Sequence, residues 1–129
     1  MLHEDEAMDT VHILNTTRGT VLADRAEVAR SFLARGIGLM GRAALPEGYA
    51  LLIYPEWSIH MLFMKIPLDV LFVDREHTVV GLRESLPPWS PYAGVSPGRG
   101  RYVVEMPAGV ISATATALGD RLEITPPLF

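Results

Sequence analysis

The residues best placed to do chemistry lie in the segment Ile59–Asp74. It is the most apolar long stretch of the chain, yet His60, Lys65 and Asp69 interrupt it before the closing Asp74. An ionisable side chain set in an apolar run must find water, a partner or a ligand, because burying it alone is costly. A histidine oriented by a carboxylate can act as a general base, so His60 with Asp69 would suit a hydrolase or lyase. The plainer alternative is a half-exposed histidine and an aspartate that accepts backbone N–H bonds or pairs with an arginine. The two residues lie on either side of a bend, where hairpin pairing would bring them together. Lys65 either partners Asp69 or marks the bend.

Glu105 is a second carboxylate within an apolar strand, Tyr102–Pro107, and Arg42 follows a glycine-punctuated loop from which it could reach either acid. If Arg42, His60, Lys65, Asp69 and Glu105 converge, they form a polar pocket on a β scaffold, suited to a small molecule or a peptide. If they do not, a buried salt bridge at a helix-to-sheet junction explains the charges equally well. A third reading makes the proline-rich loop 87–100, with Trp89, a protein-interaction surface. It expects an exposed apolar patch there.

Several classes drop out. The chain has no cysteine, and its histidines, His3, His12, His60 and His77, show no HxH or HExxH spacing, so no metal site is expected. No G-x-S-x-G is present. Gly36-Ile37-Gly38 lacks the third glycine of a dinucleotide fingerprint and follows an expected helix, so no cofactor is expected. A net charge of −4 argues against nucleic-acid binding, and the small cluster Arg83, Arg99 and Arg101 does not overturn that. The acidic N-terminus has no basic n-region or apolar h-region, so a cytoplasmic location is expected. The longest unbroken apolar run, Tyr49–Tyr54, is too short for membrane insertion.

The elements that must position these residues are short. Turn residues are frequent, with 10 prolines and 11 glycines among 129 residues. Val11–Asn15 and Thr20–Ala23 read as a hairpin. Asp24 with Glu27 has capping-box form, which predicts a three-turn helix over Arg25–Arg35. Tyr49–Tyr54, Ser58–Met64, Leu68–Val73, Thr78–Leu86, Arg101–Met106 and Arg121–Ile124 read as strands, and Val110–Leu118 as a short helix. The pattern predicts a mainly β, α+β domain: a compact antiparallel β-sandwich or open barrel of about eight strands with one three-turn and one short helix. Residues 1–10 are expected to be a flexible acidic tail, 11–125 a single domain and 126–129 a C-terminal tail.

Four segments carry a family resemblance. Arg35-Gly36-Ile37-Gly38-Leu39-Met40-Gly41-Arg42 resembles the R-x-x-G-L-M-x-R motif of the domain of unknown function 192 family. His60–Asp74 resembles that family's M-[KR]-x-x-[IP]-[LI]-D core, Glu105–Gly109 its E-L-P-A-G, and Gly119-Asp120 its closing G-D. The resemblance implies a compact, mainly β fold and brings no established enzymatic activity with it. Many members carry a Trp-Met-Lys-Asn-Thr form of the central motif. Here no tryptophan precedes Met64-Lys65 and Ile66-Pro67 follows, so no role of that tryptophan or asparagine carries over.

Overall fold

The computed structural model describes residues 8–129. In chain order the elements are β1 (Asp9–Asn15), β2 (Thr20–Ala29), α1 (Phe32–Ile37), β3 (Tyr49–Ile53), β4 (Ser58–Ile59), β5 (Leu68–Val73), β6 (Val79–Leu86), β7 (Ala93–Gly94), β8 (Tyr102–Pro107), α2 (Val110–Thr114) and β9 (Leu122–Thr125). Seven strands form one sheet in the order β6-β5-β8-β3-β2-β1-β9, and β4 pairs with β7 in a small second sheet. The large sheet curls into a half-barrel. Its two edge strands meet at one end, where Thr78 bridges Arg121 and the N–H of Val79 donates to the Asp120 carbonyl at 2.9 Å. The fold is therefore the open barrel of the two expected forms, with one departure from antiparallel order: β2 and β3 are parallel. Parallel neighbours need a crossover, and α1 lies within it.

The expected helix over Arg25–Arg35 is instead strand over its first part, Arg25–Ala29. Thr20–Ala29 hydrogen-bonds to β1 on one side and β3 on the other, and two-sided pairing outweighs a local capping signal. Asp24 caps nothing; its N–H donates to the Gly48 carbonyl. Glu27 accepts from the Tyr49 hydroxyl at 2.8 Å. The helix starts later and is shorter, with Ser31 as its N-cap and the Ser31 hydroxyl accepting from Ala34 N–H at 3.0 Å.

Two further expectations change. Of Ser58–Met64 only Ser58–Ile59 is strand, because the chain turns through Phe63 at φ +64°. The loop 87–100 is not structureless: Ala93–Gly94 pairs with β4, and Trp89 N–H donates to the Met61 carbonyl at 2.7 Å. Residues 1–7 of the expected acidic tail lie outside the described residues, and Asp9 and Thr10 already pair with Val28 and Glu27. At the other end Leu128 is buried and Phe129 stacks on Tyr54 and His77.

Strands β3 and β5 are buried along their whole length. Successive side chains of a strand point to opposite faces, and the core divides accordingly. Leu52, Leu71, Val73, Tyr102, Val104 and Met106 pack with Ile111 of α2 on one face. Leu51, Ile53, Val70, Phe72 and Val103 pack with Ala34 and Leu39 of the α1 region on the other.

Candidate functional site

Glu105 follows the alternation of β8 onto the α1 face. It sits in the middle of the sheet, opposite Leu51 of β3 and Val70 of β5. It is only 4% exposed, and its Oε1 has no hydrogen-bond partner. Burial pushes its carboxyl up from an ordinary 4.5 to about 8, because the low-dielectric surroundings disfavour the anion. At neutral pH it is therefore largely the neutral acid. It lines an open cleft of about 350 Å³.

The α1 segment forms one wall of that cleft, and β4 with residues Pro91–Tyr92 forms another. Arg35 leaves the last turn of α1, donates through Nη1 to the Pro55 carbonyl at 3.0 Å, and lies 4.0 Å from Glu56. Its Nε has no partner. Among the described residues, Arg35 Nε and Glu105 Oε1 are the only buried side-chain nitrogen or oxygen atoms left without one, and both residues line this cleft. Native proteins rarely leave such atoms unpaired, and each exception calls for an explanation.

Gly38 ends α1 at φ 51° and ψ −127°, a conformation that side chains disfavour. A Cβ there would stand 3.7 Å from Glu105 Oε1. That is ordinary van der Waals contact, so the backbone conformation rather than crowding is what favours glycine here. Gly38→Ala is expected to lower stability by about 1–3 kcal/mol through backbone strain. Urea denaturation checks this: the midpoint should fall with an unchanged slope.

The five residues singled out in the sequence do not converge. His60 lines the cleft from an exposed loop position, with Nδ1 accepting from Leu62 N–H at 3.1 Å. Glu105 forms part of its floor. Asp69 faces the other way: it pairs across the ladder with Met106, the residue after Glu105, and so points to the opposite face of the sheet. It is fully buried, and its oxygens accept from the backbone N–H groups of Ser85 (2.8 Å), Gly109 (3.0 Å) and Ile111 (2.8 Å). Asp69 thus ties β5 to β6 and to the start of α2, and the structure forms no His60–Asp69 pair. Arg42 is exposed, lies 3.8 Å from Glu27, and covers the Tyr49 ring. Lys65 is exposed and lies outside the cleft lining. Among the described residues, no three His, Asp or Glu side chains are grouped to hold a metal ion.

A sequence profile described as DUF192, uncharacterized ACR, matches residues 13–124. The chain belongs to this family. A UPF0127 protein of Pyrococcus furiosus is 35% identical over 116 residues, covering 86% of this chain and 96% of its own. One from Thermococcus sibiricus is 33% identical over 115 residues, covering 86% and 73%. A solved structure of a protein of unknown function from Novosphingobium aromaticivorans superposes with a TM-score of 0.78 at 22% identity, covering 95% of this chain and 91% of that one. Another, from Sinorhizobium meliloti and provisionally named a transcription regulator, has a TM-score of 0.80 at 25% identity, covering 92% and 96%.

In this DUF192 domain the segments that resemble family motifs take different parts. Arg35, Gly38 and Glu105 build the cleft. Asp120 instead holds the fold: it accepts from Asn15 Nδ2, Arg18 Nε and Ala117 N–H, all within 3.0 Å. Its pKa is lowered overall, because these bonds and the Arg18 charge outweigh the opposing effect of burial. The cleft residues missed from sequence are Arg35, Gly38 and Glu56. Arg35 and Gly38 stand within a quoted motif, but nothing in their spacing linked them to Glu105. Phe63 and Trp89 are exposed, and their rings pack on each other with centroids 5.0 Å apart.

Proposed function

We propose that this protein is a small-molecule-binding domain whose ligand site is the Glu105 cleft. The observation that carries this reading is the buried Glu105 carboxyl, unpaired and placed at the floor of an open cleft. A polar group held this way weakens the fold, and it is explained if its partner arrives with a ligand. The cleft volume, about 350 Å³, lies in the range of small-molecule sites. Its apolar walls, Ile37, Leu39, Ile53 and Ile59, supply affinity, and a few polar groups supply orientation.

The test is a fragment screen on isotope-labelled protein read by backbone amide shifts. Hits are expected to move the signals of Gly36–Leu39, Ser58–His60 and Glu105, and to lose binding in Glu105→Leu. If no fragment moves these signals, or if hits bind Glu105→Leu unchanged, the cleft is not the ligand site.

A further inference from the structure

We propose that the cleft recognises a neutral carboxamide-type group, such as a primary amide, a lactam or a urea, held between Glu105 and Arg35. This deepens the ligand-site reading and rests on it. The unpaired buried atoms of the cleft make complementary demands. Arg35 Nε–H can only donate, whereas the Glu105 carboxyl can accept through Oε1 and, when protonated, also donate. A primary amide, a lactam or a urea carries an N–H and a C=O on one edge, so a single group supplies the kind of partner that each residue lacks. A hydroxyl has a single oxygen with which to reach them. A hydrocarbon leaves both unpaired, at a cost in desolvated hydrogen-bonding capacity.

Charge selects against the ionic relatives of an amide. The Arg35 guanidinium already lies 4.0 Å from the Glu56 carboxylate, so that pair balances itself. Burial keeps Glu105 mainly protonated at neutral pH. A carboxylate ligand would meet the Glu56 charge, and an ammonium ligand would meet the Arg35 charge, both in an apolar-walled space. Either would bring in a charge without a free counter-charge. At the mouth stand Phe32 and Tyr92, 87% and 62% exposed, as surfaces for an aliphatic or aromatic substituent on the amide.

Phenylacetamide, phenylacetate and phenethylamine share one skeleton and differ in the group offered. Each is titrated at pH 7 into labelled protein, following the amide signals of Gly36, Gly38, Ile59 and His60. Phenylacetamide is expected to bind at least about tenfold tighter than the other two, a difference of about 1.4 kcal/mol. Glu105→Gln, which keeps a donor and an acceptor, should retain its binding within a few-fold. Glu105→Leu should lose at least about tenfold, and Arg35→Lys, which keeps the charge but removes the Nε–H, should lose several-fold. If phenylacetate or phenethylamine moves the same signals with equal or greater affinity, the amide assignment is wrong and the ligand-site reading stands. If none of the three moves them at about 10 mM, well above the weakest binding class considered, both fall.

Discussion

Asp69→Ala is expected to destabilise the protein by about 3–5 kcal/mol, enough to leave much of it unfolded at 37 °C if the starting stability is typical of a small domain. One side chain satisfies three backbone N–H groups in two other elements, those of Ser85, Gly109 and Ile111. Two of them, at Gly109 and Ile111, lie at the start of α2, a helix with no side-chain cap of its own. Removing the carboxyl leaves those donors in a site where Asp69 itself is fully buried. Asp69→Asn keeps one acceptor oxygen but sets an NH₂ against a backbone N–H, so a smaller loss is expected. Equilibrium urea denaturation of the three proteins checks the order wild type, Asn, Ala. Because Asp69 faces away from the cleft, folded Asp69→Asn should bind cleft ligands as wild type does. A loss of binding in folded protein would mean that Asp69 reaches the site after all.

Glu105→Leu should act in the opposite direction, raising stability by about 2–4 kcal/mol at pH 7 and the melting temperature by roughly 10 °C. Leucine fills similar space among Leu51, Val70 and Val103 without a polar group that must be stripped of water. The same change should abolish cleft binding, so stability and function pull apart at one residue. The pH dependence follows from linkage. Glu105 titrates near 4.5 when unfolded and near 8 when folded, so between these values the folded protein holds a proton that the unfolded chain has released. Its contribution to stability is full below about pH 4.5, falls as the pH rises towards 8, and stays lost above that. The slope approaches about 1.4 kcal/mol per pH unit. Glu105→Gln lacks this term, so the stability gap between it and wild type should widen in the variant's favour across the window. A gap that stays constant with pH would show that Glu105 ionises like an exposed carboxylate.

How far the chain could be read without its structure differs from residue to residue. Leu68–Val73 and Tyr49–Ile53 are short apolar runs bounded by turn residues, and both are strands. Arg25–Ala29 misled because the capping pattern is a weak local preference, whereas pairing to both β1 and β3 is a sum of many backbone bonds made at a distance. His60 misled because Ser58–Met64 reads as one strand, whereas the strand ends at Ile59 and the chain turns at Phe63.

By itself the sequence determined a mainly β domain with glycine- and proline-marked turns and buried central strands, since these follow from local apolar patterning and backbone preference. It also marked Asp69 and Glu105 as the acids whose burial needed explaining. Only the tertiary structure decided that they serve opposite faces of the sheet. A strand buried on both sides has no polar face to betray its orientation, so the sidedness of each carboxyl depends on ladder register. Register places Asp69 against Met106 and Glu105 against Val70. From that offset of one residue, one acid became a support of the fold and the other was left unpaired in the cleft that Arg35 and Gly38 also line.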